Sequence, residues 1–510
     1  MTKIIIYFFA LILFPFQLTA TIYDLSTLLP SNKAAFQILG ASSGDTLGWQ
    51  IANAGDVNKD GFDDIIIGAP GFGSTYGKVY VIYGQGGSSF LDLSVNNLNP
   101  ASTGFKITGA ATGDGFGNSV GRAGDVNKDG YADIIIGAGG SNFYRGAAYV
   151  IYGKANPTNI ALASTNLILT QTGFVINGNA AGDNLGWAVA PAGDVNNDGY
   201  DDVIVGAPYG NSNRGIAYVI YGRATASFTN INLASTTLNP ASTGFTIKGA
   251  ASGDFFGNSV STAGDINNDG CADLIIGANK KSSQRGTVYV IYGKASPANI
   301  DLSSSTALTP ATTGFNVAGK ATGENFGIAV NTAGDINNDG YDDILIGAAE
   351  RNSNRGAVQV IYGGPNSGFS NIDLSLTGAA LSPTSKGFVI AGNSVSDRLG
   401  FAVAPAGDIN NDGFDDILIT AANKNSGKGS VYAVYGGATS TRVNIDLSAG
   451  ELDPLVDGFG VTGILASGQF GFSADKIDLN KDGKGELLIG APYATNSIGV
   501  SYVIFPASRS

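Results

Sequence analysis

Seven stretches of this chain place carboxylates and a carboxamide at alternate positions of a nine-residue loop. The first, DVNKDGFDD, presents Asp56, Asn58, Asp60 and Asp64, with Phe62 at its seventh position. It returns as Asp125, Asn127, Asp129, Tyr131 and Asp133, then as Asp194, Asn196, Asp198, Tyr200 and Asp202, and again as Asp265, Asn267, Asp269, Cys271 and Asp273. Three further copies carry Asp335, Asn337, Asp339, Tyr341 and Asp343; Asp408, Asn410, Asp412, Phe414 and Asp416; and Asp478, Asn480, Asp482, Lys484 and Glu486. Acids that close repel one another unless a positive charge sits among them. Side chains at positions 1, 3, 5 and 9, the backbone carbonyl of position 7 and a tight turn at Gly in position 6 make the all-oxygen, adaptable shell of a Ca²⁺ site. Magnesium keeps its waters and a near-octahedral shell, and suits these loops less. A lone copy would be read first as an Asx-rich turn without metal. Seven full copies argue for the ion, so up to seven calcium ions are expected. The last loop departs most, with Lys484 and Gly485 ahead of Glu486. Cys271 offers the metal only its carbonyl, and its thiol is expected to pack as a small apolar side chain.

Charge supports the same reading. Positions 1, 5 and 9 hold 21 of the 41 acidic residues in a chain of net charge −13. Loss of Lys3 with a cleaved leader would make that −14, which seven divalent ions would neutralise. The loops are read as structural first, stapling turns as disulfides do in other secreted proteins. A calcium-sensing switch is the second option, and no second state is visible in the sequence. The acidic balance disfavours nucleic acid and anionic membrane surfaces as partners. With no histidine and one cysteine, a Ser/His/Asp triad, a His-based zinc site, a Cys/His nucleophile pair and an internal disulfide are all excluded.

The elements that must position these loops repeat with them. The loops recur at intervals of 69, 69, 71, 70, 73 and 70 residues, one supersecondary unit per interval. Each unit contains four short β runs; in the second they are 116–124, 133–138, 147–153 and 173–178, bounded by Gly, Asn, Asp and Ser, and no stretch shows helical periodicity. Seven units of four antiparallel strands predict an all-β, seven-bladed β-propeller.

The ends predict closure. Residues 1–20 read as a secretory signal peptide, with Lys3, an apolar run from Ile4 to Phe16 and a small residue at Ala20. That run of 13 residues is short of the roughly 20 a membrane span needs. The mature propeller is expected over 21–510. Absence of an N-x-S/T acceptor, except Asn156-Pro-Thr where proline blocks it, leans toward a bacterial secreted protein. Residues after the leader match the link at 299–319, and the last repeat stops after its third run at 499–505. Residues 35–40 are therefore expected to complete the blade built by 470–505, removing the open edges of an array. An open solenoid is the alternative, and it needs no split repeat.

Phe116-Gly117, Phe256-Gly257, Phe326-Gly327 and Phe470-Gly471, with Leu-Gly in the other three repeats, precede the acidic loop, and Gly68-Ala69-Pro70, Gly206-Ala207-Pro208 and Gly490-Ala491-Pro492 follow it. This order resembles the FG-GAP repeat of the integrin alpha-subunit head, over the whole chain beyond the leader. The resemblance implies calcium in loops on the lower face and partner binding by loops on the upper face. The chain differs from an integrin subunit in showing no leg domains or membrane span, and in carrying the loop in all seven repeats. The resemblance therefore does not extend to pairing with a beta subunit, which is left open.

A cation precedes the glycine of the loop between second and third strands in five repeats: Arg145, Arg214, Arg285, Arg355 and Lys428. A ring of cations could receive acidic glycans or phosphates. The favoured expectation is a salt bridge to the acids ahead of the FG strand, Asp114, Asp183, Asp254, Glu324 and Asp397, because both are missing in the last repeat (Gly468 and Ile498) and the first keeps Asp45 opposite Tyr76. Trp187 is expected to pack in the core rather than serve as a sugar platform, and Trp49 lies outside the repeated core pattern. Taken together, the chain is expected to be a secreted, calcium-binding, non-enzymatic module for adhesion or interaction, with a protein or glycan surface as partner. One alternative is a secreted hydrolase acting on glycans or phosphoesters at the upper mouth of the channel, although no unique carboxylate pair breaks the repeat. Another is a module that works with a separate catalytic chain.

Overall fold

A computed structural model describes residues 22–25, 35–71, 76–85, 91–92, 98–164, 167–376, 381–450 and 452–506. The expected leader lies outside the described residues. Seven sheets, antiparallel through their first four strands, surround one axis, and each innermost strand packs against the next, with Ser473–Ile477 returning to Gln50–Gly55. Blade 1 runs Gln50–Gly55, Asp64–Ala69, Lys78–Ile82 and Gly104–Thr108 from the axis outward. Its second strand is buried at all six positions, which is why the acidic loop drops straight into three isoleucines: a strand covered on both faces reads as a continuous apolar run.

Glycine explains why the motif brackets the loop. A Cβ on Gly68 would meet the carbonyl oxygen of Gly117 in the next blade at 2.1 Å, and Gly137 would meet that of Gly186 at the same distance. The GAP glycine of one blade and the FG glycine of the next touch through bare backbone. Blade 6 replaces the former with Thr420, whose hydroxyl accepts from the Ala402 amide at 3.0 Å.

Closure is as expected from the split repeat. Ala35–Leu39 pairs antiparallel with Val500–Ile504, Ala35 opposite Ile504, and supplies the fourth strand of blade 7. The sheets hold one strand more than expected. A segment of two residues, or three in blade 6, adds in parallel to each fourth strand: Ile160–Ala161 beside Ile107 and Thr108, Ile300–Asp301 beside Ile247 and Lys248, Ile445–Asp446 beside Ile390 and Ala391. At the seam, Ile22–Asp24 does this for blade 6 and Leu91–Asp92 for blade 7. Apolar clusters lie between neighbouring blades, such as Val150 and Phe174 of blade 2 with Val205 and Tyr218 of blade 3. Burying each such side chain contributes about 1.5–3 kcal/mol.

Candidate metal loops

Each acidic loop joins the first strand of a blade to the second, so all seven lie on one face. In six blades the ladder slips by a bulge just before the loop, between Asn53 and Gly55 in blade 1. Inside the loop, position 4 and the glycine at position 6 both take positive φ, Lys59 at 60° and Gly61 at 97°, which turns the chain back on itself.

The side chains then fold inward over amides. In blade 1 the Asp60 amide donates to Asp56 Oδ1 at 3.0 Å and to Asn58 Oδ1 at 2.9 Å, Gly61 donates to Asp56 Oδ2 at 2.8 Å, and Phe62 donates to Asp60 Oδ1 at 3.0 Å. The position-1 and position-5 contacts recur in blade 7, where Asp482 and Gly483 donate to Asp478 at 3.0 and 2.9 Å. Blade 5 differs: the Oδ1 atom of Asn337 is buried without a hydrogen-bond partner.

Position 9 sits deeper. Asp64, Asp133, Asp202, Asp273, Asp343 and Asp416 are all at 0% exposure. Each accepts two backbone amides; for Asp64 these are Val57 and Gly84, both at 2.9 Å. Burial pushes Asp64, Asp202 and Asp273 up to about 8 and Asp416 to about 7, and the neighbouring loop carboxylates add to the rise. Asp133 and Asp343 move the same way.

Blade 7 reaches the loop differently. Its first hairpin pairs without the bulge, and the longer Glu486 accepts from the Leu479 amide at 2.7 Å and from Asn480 Nδ2 at 2.9 Å. Among the described residues, Asp478, Asp482 and Glu486 are the group of three carboxylates whose oxygens lie within 4.8 Å of one another. The loop that departs most in sequence is the one that gathers its acids most tightly. Positions 1, 3 and 5 come together in the others, with position 9 drawn back onto its two amides.

This donor set fits a hard divalent cation. It is all oxygen, it crowds like charges, it keeps a buried carboxylate well above its ordinary range, and at Asn337 it leaves a buried carbonyl oxygen with no donor. A cation relieves each of these. Cys271 is buried at 6% exposure, and its amide donates to Asp269 Oδ1 at 3.0 Å.

Neighbouring loops are also joined. The Asp125 amide donates to Asp201 of the next loop at 2.8 Å, Asp265 to Asp342 at 2.8 Å and Asp335 to Asp415 at 3.0 Å. Lys59 and Lys128 lie over the rings of Tyr131 and Tyr200 in the following loops, at 5.1 and 5.3 Å.

The opposite face holds two corrections. Three of the five cations expected to bridge the FG-strand acids pair instead with the fifth strand: Arg214 with Asp301, Arg285 with Asp373 and Arg355 with Asp446. Blade 2 carries Asn232 at the matching place, and the buried Nε of Arg145 has no hydrogen-bond partner. The acids are satisfied elsewhere. Asp183 and Asp254 accept from the amides of Ala180 and Ala251, three residues back, at 3.0 and 3.1 Å. Asp45 takes Lys78 at 2.8 Å, Asp254 takes Lys281 at 3.9 Å and Glu324 takes Arg351 at 3.7 Å. Among the described residues no ion pair joins Arg145 or Lys428 to these acids.

Trp187, expected in the core, is 40% exposed. It stands edge-on to Tyr209 at 5.8 Å, and Tyr209 to Phe255 at 5.1 Å. A second aromatic group spans blades 6, 7 and 1: Phe401 to Phe472 at 5.0 Å, Phe472 to Trp49 at 4.6 Å and Phe472 to Tyr493 at 5.9 Å. All but Phe255, which directly precedes Phe256-Gly257, follow the FG or GAP segments, on the face away from the acidic loops. The same face carries single left-handed turns that periodicity does not reveal, such as Asn211, Ser212 and Asn213 at φ 52°, 59° and 61°. Their Asn-Ser-Asn composition was the available signal, since Asn tolerates this region best after Gly. The Asn213 carbonyl accepts from the Phe255 amide of the next blade at 3.1 Å.

The model of the FG-GAP repeat matches residues 47–82, 116–151, 185–220, 256–291, 326–361, 399–435 and 470–504. The phosphatidylinositol-glycan-specific phospholipase D of Rattus norvegicus is 32% identical over 188 residues, which is 34% of this chain and 20% of that protein. Integrin alpha-V of Gallus gallus is 32% identical over 243 residues, 46% of this chain and 20% of the integrin. Integrin alpha pat-2 of Caenorhabditis elegans is 33% identical over 254 residues, 47% of this chain and 18% of the integrin. The alignments therefore span about a fifth of each relative's length.

Proposed function

Because this chain is an FG-GAP repeat β-propeller, similar over part of its length to integrin alpha subunits, we propose that it is an exported, calcium-stapled binding module without catalysis of its own. Calcium would be held by positions 1, 3, 5 and 9 of each loop and the position-7 carbonyl, cross-linking the hairpin nearest the axis. Partner recognition falls to the upper face, where a protein or glycan surface would meet the aromatic groups around Trp49 and Trp187. The observation that carries this reading is the contrast between faces: the loops below repeat one oxygen arrangement, while the residues above differ from blade to blade. Export rests on the sequence of residues 1–20.

Likeness to a phospholipase D favours a second reading, in which the propeller serves a catalytic chain or domain. One experiment separates them. Calcium-loaded protein is tested for cell-surface and glycan-array binding beside a screen for phosphoester and glycoside hydrolysis. Calcium-dependent binding without turnover supports the module; turnover that survives repeated purification and disappears with calcium removal overturns it.

A further inference from the structure

Six blades carry a tyrosine at the centre of the third strand, Tyr80, Tyr149, Tyr218, Tyr289, Tyr432 and Tyr502, and blade 5 carries Gln359. The rings fill the upper part of the seam with the preceding blade. Lys281 and Lys424 lie over Tyr289 and Tyr432 at 5.1 and 5.0 Å. In blade 5 the corresponding cation is Arg351, and no ring stands beneath it. Gln359, with its amide oxygen toward the guanidinium, accepts from Arg351 Nη1 at 2.7 Å and donates to the Ile346 carbonyl at 3.1 Å. Glu324, at 1% exposure, steadies Arg351 from the other side at 3.7 Å.

A cleft of about 560 Å³ lies at this seam, with Leu374, Leu376, Val389 and Ile445 on its walls and Arg351 and Lys320 at its polar end. That volume is within the range of small-molecule sites, roughly 300–1,000 Å³. Asp446 on the rim is already held by Arg355 and Glu324 balances Arg351, so the exposed Lys320 leaves the cleft one positive charge in excess. In a chain of net charge −13, a positive, apolar-walled cleft runs against the general field.

We propose that this cleft binds a small amphipathic anion, its charged head on Arg351 and Lys320 and its apolar body against Leu374, Leu376 and Val389. The guanidinium fork, fixed by Gln359 and Glu324, suits a planar carboxylate with two parallel hydrogen bonds. The site is separate from the acidic loops and from the aromatic groups of the upper face, and it stands or falls independently of the proposed function.

Octanoate and 1-octanol are the probes, each titrated by calorimetry into the calcium-loaded chain. Octanoate is expected to bind at one site, with octanol at least tenfold weaker. Gln359→Tyr, which restores the ring of the other six blades, should abolish octanoate binding, and Lys320→Gln, a change at an exposed position, should weaken it several-fold with the melting temperature unchanged. Equal affinity for acid and alcohol would overturn the anion assignment. No binding by either, or full binding by both variants, would overturn the site.

Discussion

On the lower face the same nine positions are filled seven times with almost the same atoms: the position-1 carboxylate takes the position-6 amide at 2.8 Å in blades 1, 2, 4, 5 and 6. On the upper face the residue after the FG glycine is Trp49, Asn118, Trp187, Asn258, Ile328, Phe401 and Phe472 in turn. A staple performs one task in every blade and tolerates little variation. A recognition surface meets one asymmetric partner and has no need of repetition. The difference between the faces therefore separates what holds the ring from what the ring presents.

The sharpest way to break this comparison is to remove calcium. Chelation is expected to lower the melting temperature by the largest margin of any change considered, since an ion at a hundredfold above its Kd stabilises by about 2.7 kcal/mol per site. Equal melting curves with and without chelator would undo the staple reading altogether. Next comes Asp202→Ala, which strands the amides of Val195 and Gly222. Leaving buried donors unpaired costs about 1–3 kcal/mol each, so urea midpoints should fall both in calcium and in chelator. A loss confined to calcium would make the carboxylate a ligand only.

The chelated protein should also respond to pH. Asp64, Asp202 and Asp273 rise from 3.8 to about 8 on folding, so the folded state binds more protons than the unfolded one. Their contribution is complete below pH 3.8 and is lost as pH climbs through about 8. Saturating calcium should flatten that slope, because the ion favours the charged carboxylate; parallel slopes would show that the ion lies elsewhere. Smaller still in stability is Phe472→Ala or Trp49→Ala, each expected to shift unfolding by about 1 kcal/mol while abolishing partner capture. Retained capture would move recognition away from these aromatics. Arg355→Ala closes the series at about 0–1 kcal/mol, and a larger loss would show that its link to Asp446 anchors the fifth strand.

Much of this was readable from spacing. The interval near 70 residues gave the blades, the split repeat gave the closing strand, and the DxNxDGxxD pattern marked six acidic loops, with Glu486 in place of the final Asp in the seventh. The fifth strands were hidden because two residues are too few to show a period. Their clue was a second, imperfect correlation: Arg214, Arg285 and Arg355 accompany Asp301, Asp373 and Asp446, Arg145 accompanies Asn232 and Tyr76 accompanies Ala161, while blade 7 breaks it with Ile498 and Asp92. The nearer acids correlated as well and were matched first. Their carboxylates close their own turns on local amides, a role that depends on backbone direction and leaves no mark in residue type. Trp187 sits just before the strand Ala188–Gly193, at a place that is partly or fully exposed in every blade, and its Leu-Gly context carries no sign of that.

The borrowed strands carry a thermodynamic consequence. A linear array of repeats unfolds unit by unit and frays from its ends. Here every sheet ends in residues of the following repeat, and Ala35–Leu39 shares a sheet with the last strand, Val500–Ile504, with the Ser43 hydroxyl bonded to the Asn496 carbonyl across 453 positions. No blade can open without stripping the edge of its neighbour. Unfolding is therefore expected to be one cooperative transition of the entire circle, with an enthalpy that scales with all seven units together.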